Sequence, residues 1–232
     1  MKKNIYVNGE YVKLNPSYHT EDSPWKTKQI LKMLDKHALK PDVICEFGCG
    51  AGEILRQLQA HLPENVIFYG YEISPQAFDL SKQRENETLH FYLEDMLSKN
   101  DLPLMDVLLC IDVFEHIEDY LGFLGRLRQK MDCKIIFHIP LDISVQSVLQ
   151  GTLPSVRAAV GHLHYFTKET ALLTLMDSGF EIIDYFYTPS SNEVGKTFKS
   201  KLAKFPRMVF SWFSPDLAVR VLGGYSLMVL VK

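Results

Sequence analysis

At 232 residues, with 47% hydrophobic and 23% charged side chains and a net charge of −3, the chain has the bulk of one ordinary globular domain with its own core. The acidic balance gives no electrostatic footprint for nucleic acid, and no apolar run approaches membrane-spanning length. The four cysteines (45, 49, 110 and 133) form no C-x-x-C pair, and three lie in or beside apolar runs. No secretory apolar region follows Lys2-Lys3, so the expectation is reduced thiols in a cytoplasmic protein.

Residues 5–14 alternate around Asn8-Gly9, a hairpin signal. A helix is expected from Ser23-Pro24, with serine as cap, proline in the first turn, and Ile30, Leu31, Leu34 and Ala38 on its apolar face. Strands are then predicted at 43–47, 66–71, 89–93, 106–111 and 134–139, with helices starting near 52, 75 and 118. Their near-continuous apolar runs suit a parallel sheet covered on both faces. Segment 140–166 reads as irregular, and a helix capped by Thr167 and stopped at Gly179 follows it. A strand at 180–187, a helical insertion at about 190–224 and a last strand at 225–231 complete the chain. The expected fold is α/β: a doubly wound, seven-stranded, mostly parallel sheet with an antiparallel last strand. Residues 1–39 form an N-terminal hairpin and helix cap, and 40–232 the main domain.

The segment Glu46-Phe47-Gly48-Cys49-Gly50-Ala51-Gly52 carries a buried strand into a glycine-rich turn. Such a turn lets the backbone press against a ligand, and the next helix would aim free N–H groups at the same place. Glu53 stands where a dinucleotide fingerprint needs glycine. The pattern Glu46-x-Gly48-x-Gly50-x-Gly52 instead resembles the first motif of the class I, Rossmann-like S-adenosylmethionine-dependent methyltransferases of small-molecule type. Glu72, 24 residues past Gly48, ends the second strand, where an acid accepts hydrogen bonds from ribose hydroxyls. The resemblance further implies Asp95 and Met96 against the adenine, and Asp112 beside the cofactor. With Cys49 and Ile73 these complete the expected cofactor pocket. His162-x-His164-Tyr165-Phe166-Thr167 matches the usual end of such domains, so the resemblance covers roughly 40–187 and the last strand.

Transfer from a sulfonium is an in-line displacement at carbon, and a base need only take the acceptor's proton. His116, His162 and His164 are the candidate bases, with His138 and Asp112 also in reach. Asp112-x-x-Glu115-His116 is similar to the acid-x-x-Glu-His cluster of the ubiquinone-pathway O-methyltransferases and the small-RNA 3′-terminal 2′-O-methyltransferases. That likeness implies a divalent metal on Asp112, Glu115, His116 and His162. Relatives without metal carry the same run, so both readings stand.

The expected activity is methyl transfer to a small acceptor, foremost a hydroxyl of a sugar, glycan, quinone or polyketide-like intermediate. RNA 2′-O-methylation and a non-catalytic scaffold that binds S-adenosylmethionine are the alternatives. Tyr18, His19 and Trp25 would pack the first helix or form a lid. Lys196, Lys199, Lys201, Lys204 and Arg207 interleave with Phe198, Leu202, Phe205 and Trp212. That stretch reads as a cap over the substrate cleft, with peripheral contact to an anionic membrane as the second reading.

Overall fold

The computed structural model describes residues 9–18, 20–189 and 214–232. Among them, seven strands form one sheet: β1 (Val43–Phe47), β2 (Ile67–Glu72), β3 (Leu89–Leu93), β4 (Val107–Ile111), β5 (Lys134–Leu141), β6 (Ile182–Thr188) and β7 (Tyr225–Val231). Their order is β3-β2-β1-β4-β5-β7-β6. The first five run parallel, and β7 lies antiparallel between β5 and β6. The expected doubly wound sheet is therefore present. Chain direction through the sheet reverses between the neighbours β1 and β4, which opens a crevice at their carboxyl ends.

Nine helices accompany the strands among the described residues: α1 (Glu10–Leu14), α2 (Ser23–Lys36), α3 (Glu53–Gln59), α4 (Pro75–Lys82), α5 (Tyr120–Lys130), α6 (Val145–Gln150), α7 (Leu153–Val160), α8 (Lys168–Asp177) and α9 (Pro215–Leu222). The two-residue period of a strand sorts its side chains between two cores. Ile135, Phe137 and Ile139 of β5 join Phe123, Leu127 and Leu175 of α5 and α8 on one face. Ile136 instead joins Ile30, Met33 and Leu34 of α2 and Leu55 and Leu58 of α3 on the other. The same alternation sends Glu46, two residues after Ile44, and His138, two after Ile136, to the α2 face.

Three local expectations are corrected. The hairpin around Asn8-Gly9 gives way to α1: Gly9 takes a left-handed φ of 78° just before the helix, and Tyr11 is buried. Residues 1–8 and 190–213, with the basic stretch and most of the expected insertion, lie outside the described residues, as does His19. Segment 140–166 is more regular than expected. Ser144 and Ser147 form a capping box that starts α6, and left-handed Gly151 and Gly161 end α6 and α7. At α2, Asp22 rather than Ser23 takes the N-cap position.

Gly70 of β2 pairs with Glu46 on one side and Phe91 on the other. A Cβ there would stand 2.5 Å from Phe91 Cδ1 and 2.8 Å from Cys49 Sγ. Gly70→Ala therefore overpacks the sheet behind the glycine turn. It is expected to lower unfolding free energy by about 1–3 kcal/mol in urea titration. A neutral result would mean that Phe91 and Cys49 have room to shift.

Candidate active site

The glycine turn follows β1 at the crevice. Gly48, Gly50 and Gly52 have φ of 67°, 54° and 74°, a left-handed run that side chains with a Cβ resist. Its amides are mostly spoken for. Gly48 and Cys49 N–H donate to the Tyr71 carbonyl, Gly52 N–H to the Cys49 carbonyl, and Gly50 N–H to Glu72 Oε2 at 2.8 Å. Glu72 Oε1 accepts from the Ile73 and Ser74 amides, each at 2.8 Å. Burial raises the Glu72 pKa, and the three amide donors work against that rise. Three of a carboxylate's roughly four acceptor positions are then filled, which leaves capacity for a ligand hydroxyl.

Across the crevice, Asp112 follows β4 with a left-handed φ of 54°. Its Oδ1 accepts from His138 Nδ1 at 2.5 Å, and its Oδ2 meets Lys26 Nζ of α2 at 2.8 Å. His138 Nε2 lies 2.9 Å from the Thr188 hydroxyl, and Trp25 packs edge-on against the same ring. Burial opposes the Asp112 charge, but His138 and Lys26 hold its carboxyl well below the usual carboxylate range. Glu46 shares the α2 side, and its Oε2 is buried without a hydrogen-bond partner among the described residues. Burial pushes its pKa well up, with Lys26 pulling the other way.

A second cluster stands beside the first. The turn Phe114–His116 carries Glu115, fully buried with neither carboxylate oxygen hydrogen-bonded among the described residues. Burial drives its pKa well above the usual range, and Asp112 adds to the rise. The ligating atoms of Glu115, His116 and His162 all lie within 4.8 Å of one another. His162 Nδ1 donates to Asp142 Oδ2 at 2.6 Å, which fixes the ring from behind. The His116 ring is hydrogen-bonded to the Gly161 backbone. Burial, reinforced by His162, lowers its pKa to about 4, so it is neutral near pH 7. Two imidazoles oriented by outer partners, beside a buried carboxyl group without a hydrogen-bond partner among the described residues, make a chemically suitable divalent-metal donor set.

Asp112, expected as a fourth metal ligand, is not in that group, because His138 and Lys26 occupy its two oxygens. His164, a candidate base, stands apart from it. Its Nε2 donates to the Ile117 carbonyl at 3.0 Å and more loosely to that of Glu118, bracing the turn. Asp95 follows β3, caps the Leu97 amide at 3.0 Å and is exposed; Met96 beside it is buried. Tyr18 reaches the Ser74 hydroxyl at 3.0 Å. Sequence reasoning missed Lys26 and Asp142. Lys26 had a signal: it sits four residues before Ile30, on a stripe that should be apolar.

A cleft of about 270 Å³ adjoins Asp142, lined also by Ser144, Gln146, Gln150, Tyr225 and Ser226. A larger cleft of about 680 Å³ lies at the amino ends of β4 and β5, around Asp106, Cys133 and Lys134. Size alone would favour it, but it is remote from the glycine turn and both acid clusters.

A family model described as a methyltransferase domain matches residues 21–185. No curated protein sequence matches the chain. Similar solved structures include magnesium protoporphyrin IX methyltransferase from Synechocystis PCC 6803 with bound SAH. It is 16% identical with a TM-score of 0.58, over 89% of this chain and 81% of that one. The plantazolicin methyltransferase BpumL in complex with SAH is 15% identical with a TM-score of 0.61, over 95% and 89%. The cyclopropane synthase MmaA2 from Mycobacterium tuberculosis is 15% identical with a TM-score of 0.56, over 82% and 78%. At such identities the likeness is one of fold.

Asp112→Asn would leave the Lys26 ammonium buried without its counter-charge. Breaking a buried pair this way is expected to cost about 3–5 kcal/mol at neutral pH. The Asp112 carboxyl titrates lower folded than unfolded, so its stabilisation is complete above the unfolded pKa of about 4 and drains as pH falls below it. Urea titrations of both proteins from pH 7 to pH 3 should show the gap between them beginning to narrow at the acid end. A gap that stays constant would mean the ion pair is not the source of the difference.

Proposed function

The chain belongs to the methyltransferase-domain family, and on that premise we propose that it methylates a hydroxyl of a small-molecule acceptor, with Glu115, His116 and His162 holding a divalent cation that orients this hydroxyl. S-adenosylmethionine is the cofactor of this enzyme class. When bound it supplies an electrophilic methyl group on a sulfonium. The residues that would hold it are Glu46, the turn Gly48–Gly52 with Cys49, Glu72 with Ile73, Asp95 with Met96, and Asp112. Glu46 Oε2, buried and lacking a partner, fits a cationic ligand group in that crevice.

The observation that carries the hydroxyl reading is the Glu115 carboxylate. A buried carboxyl group without a hydrogen-bond partner among the described residues is costly whether charged or protonated, and an apolar side chain at 115 would serve a purely structural role better. A scaffold has no use for it. A cation ligand does, and two imidazoles already face it. A divalent cation bound there would align an acceptor hydroxyl and favour its deprotonation. His116, with its pKa lowered to about 4, is poorly matched to take a proton at neutral pH, so it serves better as ligand than as base. Asp142 fixes the His162 ring from behind and also lines the neighbouring 270 Å³ cleft. The serine and glutamine side chains of that cleft suit an uncharged, hydroxyl-bearing acceptor of modest size.

Among the described residues no helix is long and apolar enough to cross a membrane.

The test combines metal removal with binding. Protein dialysed against EDTA should bind S-adenosylhomocysteine in calorimetry as before, yet lose methyl transfer to a hydroxylated acceptor panel by at least about 10-fold, with Mn²⁺ restoring it. Glu115→Gln and His162→Ala should lower Mn²⁺ affinity by a similar factor. Undiminished transfer after chelation would rule out the metal; transfer to amine or thiol acceptors alone would rule out the hydroxyl.

A further inference from the structure

A cofactor with an amino-acid tail presents two opposite charges to its pocket, an ammonium and a carboxylate. The ammonium has ready partners here, since Glu46, Glu72 and Asp112 meet around the crevice. The carboxylate faces the opposite problem, because three acids would repel it. Helix and glycine-turn amides are the usual remedy for an anion. In this chain the glycine-turn part of that remedy is largely consumed. The Gly48 and Cys49 amides are bonded to Tyr71, the Gly52 amide to Cys49, and the Gly50 amide to Glu72.

One side chain supplies the missing charge. Lys26 leaves α2 on its buried face and extends to the crevice, its side chain only 16% exposed. Its ammonium lies 2.8 Å from Asp112 and also acts electrostatically on Glu46 and, least, on Glu115. Burial disfavours its charge, but Asp112 outweighs that and holds its pKa above the ordinary value, so it is cationic at neutral pH. The glycine turn lies against the same spot: a Cβ on Gly48 would stand 3.1 Å from Cγ2 of Val113, the residue after Asp112. Lys26 and Asp112, 2.8 Å apart, thus form a fixed cation–anion pair beside the turn.

We propose that this ion pair is the receptor for the zwitterionic tail of the cofactor, with the tail's carboxylate taken by Lys26 and its ammonium by Asp112. The internal salt bridge opens on binding and is exchanged for two intermolecular ones. Affinity then depends on the tail carrying both charges. This rests on S-adenosylmethionine being the cofactor, and it adds the residue that recognises the carboxylate.

The experiment is calorimetric titration of the full chain with two ligands. One is S-adenosylhomocysteine; the other is its decarboxylated analogue, which keeps nucleoside, thioether and amine. Wild type should bind the first more tightly by on the order of 10–100-fold, the worth of a charge-assisted hydrogen bond or two. Lys26→Gln should lose that preference by weakening S-adenosylhomocysteine alone, and Lys26→Arg should keep most of it. Equal affinity of wild type for both ligands would overturn the proposal without any variant. So would a Lys26→Gln protein that weakens both by the same factor, since Lys26 would then only brace Asp112. Wild type that binds neither ligand would remove the cofactor reading itself, a distinct outcome.

Discussion

Two carboxyl groups, Glu46 and Glu115, are buried around one crevice beside the part-buried Asp112, and water solvates their charge poorly there. Removing an ion from water costs several kcal/mol even after relaxation, so each acid needs a cation, a set of donors or a proton. Asp112 has a direct ion pair with Lys26 and a hydrogen bond from His138, whereas Lys26 acts on Glu46 and Glu115 from further off. Glu46 and Glu115 are left with pKa values driven upward by burial. An acid kept dry and without a partner is poor structural material but good material for receiving a cationic group. Both functional readings grow from this one imbalance.

The backbone decides where the imbalance falls. A parallel sheet delivers every strand end to the same edge, and the reversal between β1 and β4 leaves a gap between their following loops. Period-two alternation turns Glu46 and His138 to the α2 side, where Lys26 and Trp25 await them. Asp112 reaches Lys26 and His138 together from a left-handed backbone position, which is disfavoured for a residue with a Cβ. Such a conformation persists where its surroundings fix it, and here the two ion contacts do so. Three residues further on, the Phe114–His116 turn aims Glu115 and His116 at His162. The Leu163 and His164 amides, both bonded to the Glu115 carbonyl, hold that second loop in place.

Much of this was legible in the sequence because parallel strands announce themselves. Continuous apolar runs ending in Glu46, Glu72, Asp95 and Asp112 gave both the sheet and the positions of four acids. What failed did so for physical reasons. Asn8-Gly9 carries the same local signal whether Gly9 turns a hairpin or precedes a helix, and the burial of Tyr11 decides between them. Helices α6 and α7 are too short to show a period. That the glycine turn itself keeps few free amides is set by tertiary pairing with Tyr71 and Glu72, which no local pattern shows. Asp142 became visible only once folding set it behind His162.

The proposed donor and acceptor sites share a single short connection. Asp112 faces the cofactor crevice, Glu115 the metal-type cluster, and Val113 packs against Gly48 between them. Electrostatics links them further, since the charge on Asp112 adds to the rise in the Glu115 pKa, and Lys26 opposes it. A ligand that draws Lys26 toward its own carboxylate, and sets its ammonium on Asp112, changes the field at Glu115 without touching it. With the sites as proposed, geometry and charge tie the binding of one substrate to the readiness of the site for the other, through four consecutive residues of the loop after β4.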